Sequence, residues 1–233
     1  MTAEKTDRPQ VKICGLKEES TIYGMKGLPV DLIGFVFAPS KRQVTIEQAA
    51  RLASAAHSVK MGGGATPRLV GVFVNPSIEV IGRVLSYVPL DIIQLHGQEK
   101  PDFCQAVKSR FCSEIWKALP AEDPAHESEA GGEVKGGPAR LDAYAGIVSS
   151  VLIDTAGGGT GRTFRWELIP SYQERARRLG LRLFVAGGLT PDNVGDLLSR
   201  YRPDGLDISS GVETDGAKDI HKIAAFAERV NAQ

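Results

Sequence analysis

Asp154 follows the apolar run Val151-Leu152-Ile153 and precedes a loop holding Gly157, Gly158, Gly159, Thr160 and Gly161. The run reads as a short buried strand. A carboxylate at the end of a buried strand, beside a loop able to wrap a ligand, looks like one corner of an active site. The bland alternative is a surface turn. Other reactive groups stand at similar positions. Cys14 ends Val11-Lys12-Ile13-Cys14, His96 ends the run from Asp91, and Ser40-Lys41-Arg42 follows the run from Leu32 to Phe37. Gly187-Gly188 and Ser209-Ser210-Gly211 follow two late apolar runs. Backbone N–H groups can approach an anion only where side chains are small. Gly187, Gly188, Ser210 and Gly211 therefore read as a phosphate cradle, with Gly158, Gly159 and Gly161 closing over the same pocket.

These groups can meet only if the strands bearing them lie side by side. Apolar runs begin near Val11, Leu32, Leu69, Asp91, Glu114, Val151, Leu181 and Gly205, and helical or turn-rich segments separate them. Strict alternation of strand and helix implies a parallel sheet. Eight such units in a chain of 233 residues imply a single α/β domain, a closed (β/α)8 TIM barrel, with its site at the C-terminal strand ends. An open doubly wound sheet is the alternative. It is disfavoured because no Gly-x-Gly-x-x-Gly follows the first strand and no acidic residue ends the second. The barrel is expected over residues 11–233, after a flexible leader of residues 1–10. Residues 120–137 hold almost no large apolar side chain and read as an exposed insertion after the fifth strand. Thr45 offers a helix N-cap, with Gln48 as its capping-box partner.

Strand parity sharpens the site. If Cys14 faces the barrel axis, Lys12 does too, while Val11 and Ile13 face the helices. Ser209 inward brings Asp207 inward. The first and eighth strands are neighbours on closure, so Lys12 and Asp207 are expected to pair inside the barrel, each neutralising a charge too costly to bury alone.

Composition excludes several classes. Lys+Arg and Asp+Glu both number 28, so bulk charge favours neither nucleic acid nor a membrane surface. No apolar run approaches the roughly 18 residues of a spanning helix, and the polar start has no signal-peptide pattern. Cys14, Cys104 and Cys112 lack metal-ligand spacing, and their odd number fits a reduced, cytoplasmic protein. A lone buried cysteine is ordinarily inert. Cys14, at a strand end among other reactive groups, is read as a working thiol whose ionisation Lys12 would assist. Cys104 and Cys112 are read as structural. Arg42 is an anion clamp or a solvated loop cation, and His96 a substrate contact or a satisfied strand end.

In sequence order these pieces resemble the phosphoribosylanthranilate isomerase family. The matching stretches are Val11-Lys-Ile-Cys-Gly-Leu16, Gly34-Phe-Val-Phe-Ala-Pro-Ser-Lys-Arg42, Val70-Gly-Val-Phe-Val-Asn75 and Gln94-Leu-His-Gly-Gln-Glu99. Leu152-Ile-Asp-Thr155, Gly158-Gly-Thr-Gly161, Ala186-Gly-Gly-Leu-Thr-Pro-Asp-Asn-Val194 and Asp207-Ile-Ser-Ser-Gly-Val-Glu213 continue the match. The resemblance implies an Amadori rearrangement of a sugar-phosphate substrate in tryptophan biosynthesis, with no metal or organic cofactor. It implies Cys14 as general base and Asp154 as general acid, with Arg42, His96 and Asp207 contacting substrate. Some relatives are fused to other tryptophan-pathway enzymes, so fusion or association with one stays open. Three rivals stand beside it. Indole-glycerol-phosphate synthase should show inward lysine and glutamate catalysts. A pentose-phosphate epimerase should show paired acids and metal-binding histidines. A non-catalytic phospholigand barrel has no use for Cys14 opposite Asp154.

Overall fold

A computed structural model of the chain describes residues 8–122, 136–155 and 164–233. Eight parallel strands close on themselves in sequence order. They are β1 (Gln10–Cys14), β2 (Leu32–Val36), β3 (Arg68–Phe73), β4 (Ile92–Leu95), β5 (Glu114–Pro120), β6 (Ser150–Asp154), β7 (Arg182–Val185) and β8 (Gly205–Ile208). Closure runs through the β1–β8 ladder, which sets Lys12 opposite Asp207. The strands are almost wholly buried. That follows from a parallel sheet covered on both faces.

Alternation divides each strand between two cores. Leu32, Val70, Ile92, Trp116, Leu152 and Phe184 fill the barrel interior with Cys14. Val11, Ile13, Ile33, Leu69, Ile153 and Val185 join the larger core beneath the helices. The expected parity of the first strand therefore holds. The N-terminal end of the barrel is plugged by polar groups, where Glu114 binds Arg68 at 2.8 Å and Arg182 at 2.7 Å. The C-terminal end stays open.

Outside the strands lie α1 (Glu19–Gly24), α2 (Ile46–Ser58), α3 (Ile78–Leu85), α4 (Pro101–Arg110), α5 (Ile169–Arg178), α6 (Val194–Arg200) and α7 (Ile220–Asn231). Thr45 caps α2 by accepting the Gln48 N–H at 3.1 Å. The reciprocal half of the expected capping box is absent, because the Gln48 side chain donates instead to the Lys17 carbonyl at 2.8 Å. After β5 the described chain forms only a 3-10 helix, Gly137–Tyr144. Another, Trp166–Leu168, leads into α5, where Pro170 needs no N–H partner in the first turn.

The expected insertion falls mainly on residues 123–135, outside the described residues. The expected leader lies mostly outside them as well, but its end is held. Gln10 opens β1, and Arg8 donates to Asp31 at 2.8 and 3.1 Å. The last helix starts two residues later than expected, at Ile220, because Lys218 belongs to a hairpin of β9 (Glu213–Thr214) and β10 (Ala217–Lys218). Asp215 and Gly216 turn it with φ of 52° and 81°. Positive φ at both residues is what a two-residue type I′ hairpin loop demands.

Candidate active site

The open end of the barrel is a pocket of about 550 Å³, within the range of small-molecule sites. Cys14, Arg42, His96, Asp154, Gly187, Gly188, Asp207 and Ser210 all line it. These residues come from both sides of the barrel, so the expected convergence is met. Gly211 does not line it. A side chain there would overlap the Leu189 carbonyl oxygen. Its small size lets the loops after β7 and β8 touch. Gly158, Gly159 and Gly161 lie outside the described residues.

Asp154 ends β6 facing inward, in register with the interior side chain of Leu152. Its Oδ1 accepts the Thr155 N–H at 2.6 Å, and its Oδ2 lies 3.6 Å from His96 Nε2. The other ring nitrogen of His96, Nδ1, is 3.0 Å from Gln94 Nε2. His96 is thus oriented from beneath by a neighbour on its own strand. Gly187 crowds the same carboxylate. It has φ of 86°, and a Cβ there would sit 2.6 Å from Asp154 Oδ1.

Cys14 ends β1 on the opposite side, buried. Burial pushes its thiol up, against the pull of the Lys12 and Lys218 ammonium groups. The expected downward shift is corrected here: loss of water outweighs the nearby cations. The Lys12–Asp207 pair forms as expected, with Nζ 2.9 Å from Oδ2. Burial disfavours the Lys12 charge, but Asp207 and Cys14 outweigh it and hold the ammonium above its ordinary value. Asp207 Oδ1 is buried and has no hydrogen-bond partner among the described residues.

Arg42 reaches the pocket but is held. Its Nε and Nη2 fork onto the two oxygens of Glu213 at 2.6 and 3.0 Å. Lys218 Nζ bonds the same carboxylate at 2.9 Å, together with Ser209 O at 2.8 Å. Burial works against the Glu213 charge, yet the two cations draw its carboxyl down to about 2. Glu213 and Lys218 were given no role from sequence. The signal that could have found them was Asp215-Gly216, a two-residue hairpin loop. The Cys104 thiol is buried in the helix-side core and pushed up to about 11, chiefly by burial, and Cys112 is exposed. Neither approaches the pocket. Among the described residues no group of three His, Cys, Asp or Glu is placed to hold a metal ion, and no helix is long and apolar enough to cross a membrane.

The chain is similar to known proteins over nearly its whole length. Residues 11–229 match the family model described as N-(5'-phosphoribosyl)anthranilate (PRA) isomerase. The N-(5'-phosphoribosyl)anthranilate isomerase of Brevibacillus brevis is 45% identical over 227 residues, covering 96% of this chain and 94% of that protein. The crystal structure of the Thermotoga maritima isomerase matches with a TM-score of 0.78 at 32% identity, over 97% of this chain and all of that one. A phosphoribosyl anthranilate isomerase solved with reduced 1-(o-carboxyphenylamino)-1-deoxyribulose 5-phosphate matches at 31% identity and a TM-score of 0.75, over 97% and 100%. A barrel closed in this order, a thiol and a carboxylate across one pocket, and a sequence match spanning all eight strands agree: the chain belongs to the N-(5'-phosphoribosyl)anthranilate isomerase family.

Proposed function

We propose that this protein isomerises N-(5-phosphoribosyl)anthranilate to 1-(2-carboxyphenylamino)-1-deoxyribulose 5-phosphate in tryptophan biosynthesis, with Asp154 as general acid and Cys14 as general base. The observation that carries the reading is the entry of Cys14 and Asp154 into one pocket from well-separated strands. Asp154 gives a proton to the furanose ring oxygen. The C1–O bond breaks as the nitrogen lone pair forms C=N. The Cys14 thiolate removes the C2 proton, the freed pair forms C1=C2, and the C=N pair returns to nitrogen. Protonation at C1 with loss of the enol proton yields the ketone, so the whole sequence is proton-neutral.

The remaining side chains fit substrate binding. Arg42 suits the anthranilate carboxylate: Glu213 takes its Nε and Nη2, and the guanidinium so held at the pocket keeps further N–H donors for a substrate anion. Asp207 Oδ1, buried with no donor among the described residues, suits a sugar hydroxyl. His96 stands beside the acid. Gly187, Gly188 and Ser210 offer backbone and hydroxyl donors to the phosphate, as the loops after strands seven and eight do in such barrels. Three free cysteines and a small phosphorylated substrate suit a cytoplasmic enzyme.

The test is Cys14→Ala and Asp154→Asn, made separately. Each should lower kcat roughly 10²-fold or more, with product affinity largely kept. Near-normal turnover in both would remove the mechanism.

A further inference from the structure

Lys12 is fully buried inside the barrel, and the acid–base scheme above gives it no task. Its surroundings supply one. Lys12 and Cys14 point inward from the same strand, two residues apart. Gly34, on β2, is the register partner of Cys14. A Cβ on Gly34 would lie 2.9 Å from Cys14 Sγ and 3.3 Å from Lys12 Nζ. Thiol and ammonium therefore converge on the space left by one missing side chain. From the other side, β8 supplies Asp207, whose Oδ2 holds Lys12 Nζ at 2.9 Å. The remaining charged group that bears on Cys14 is Lys218 of β10, tied to Glu213 and through it to Arg42. Asp154 and His96 line the same pocket.

We propose that Lys12 is a positioning residue for the isomerisation: its Asp207-anchored ammonium is the counter-charge that lets the buried Cys14 exist as a thiolate, and Gly34 keeps the two heads in contact. The inference rests on Cys14 being the base. A buried thiolate without a partner would be strongly disfavoured, and a fixed cation beside it offsets part of that penalty. Lys12 is the largest influence opposing the burial of Cys14, ahead of Lys218. On ionisation the thiol proton passes to solvent, and the Lys12 ammonium then faces two anions, the thiolate and Asp207, of which Asp207 opposes the ionisation.

The experiment follows the ionisation of Cys14 itself. Iodoacetamide alkylation of the Cys14 peptide is measured by mass spectrometry from about pH 6 to 11, beside the pH profile of kcat/KM. Lys12→Met should move both midpoints up by about one unit or more, and lower kcat about tenfold near neutral pH with KM within about twofold. Lys12→Arg should restore part of the midpoint. Lys12→Met leaves Asp207 buried alone, so it is not the only arm. Gly34→Ala keeps every charge and pushes a methyl between the two heads, and it should move the midpoints in the same direction. Unmoved midpoints in the folded variants would overturn the role of Lys12 while leaving Cys14 as base. An active Cys14→Ala would instead overturn the base assignment, and with it this inference, whatever the alkylation midpoint does.

Discussion

Arg42 and Glu213, 171 residues apart in the chain, meet as a two-pronged fork with Nε–Oε1 at 2.6 Å and Nη2–Oε2 at 3.0 Å. The fork fixes the guanidinium plane at the pocket wall before any substrate arrives. A preorganised guanidinium loses less freedom on binding. Arg42→Ala should therefore raise KM about 10- to 100-fold with a smaller fall in kcat. Arg42→Lys should recover little, since a point charge cannot reproduce the fork. Glu213→Gln should raise KM severalfold by releasing Arg42. Steady-state kinetics decides; an unchanged KM in Arg42→Ala would exclude it as a substrate contact.

Glu213 also links stability to pH. Its carboxyl lies at about 2 when folded, below the usual 4.5. A group lowered by folding stabilises above its unfolded value, and that stabilisation is lost as pH falls through the folded one. Urea unfolding of wild type and Glu213→Gln should show wild type more stable at neutral pH. The gap should narrow as pH falls from about 4.5 toward 2. A gap independent of pH would show that Glu213 acts through shape alone.

Gly187 and Gly211 are small for different reasons, and their alanine variants should separate them. Gly187→Ala meets a positive φ and presses on Asp154 Oδ1. It should cost about 1–3 kcal/mol and also depress kcat by displacing the acid. Gly211→Ala collides with the Leu189 carbonyl. It should destabilise by a similar amount or more, shifting two backbone loops together. Thermal unfolding with kinetics on the same samples tests both. Full activity in Gly187→Ala would mean that Asp154 is not held where the pocket needs it.

On the helix side of β5, Lys117 and Glu99 form a second buried pair at 2.8 Å. Lys117 also donates to the carbonyls of Leu95 and Gly97, and Glu99 accepts the Asn75 and Gly97 N–H groups. The pair thus fastens the loop that carries His96. Lys117→Met should cost about 3–5 kcal/mol by leaving a buried carboxylate alone, whereas Lys117→Met with Glu99→Leu should recover much of that loss. Chemical denaturation of the two variants checks this. Equal loss in both would mean that the loop bonds, and not the unpaired charge, set the penalty.

Much of the site was legible because its grammar is local. Alternation along Val11–Cys14 and Gly205–Ser209, with closure of eight units, was enough to place Lys12 against Asp207. The ends of Val151–Asp154 and of the run to Cys14 marked Asp154 and Cys14 as candidate site residues because barrel sites gather at strand ends, while their division into acid and base is what the family resemblance implies. Period and parity travel with the chain, so neighbours two residues apart carry the information.

What only the tertiary structure decided concerns contacts between segments that share no period. Sequence left Arg42 as a clamp or a free cation. Folding binds it to Glu213, because the β9–β10 hairpin brings that carboxylate over the loop after β2. Sequence marked Gly211 for its small size beside a phosphate, and only folding shows that the Leu189 carbonyl also leaves no room for a side chain there. Sequence expected a thiol lowered by Lys12. Burial sets the opposite direction, because desolvation depends on everything that surrounds Cys14 in space, and no stretch of chain encodes that sum. The residues and the strands that carry them were determined by the sequence; their electrostatic state was determined by closure of the barrel.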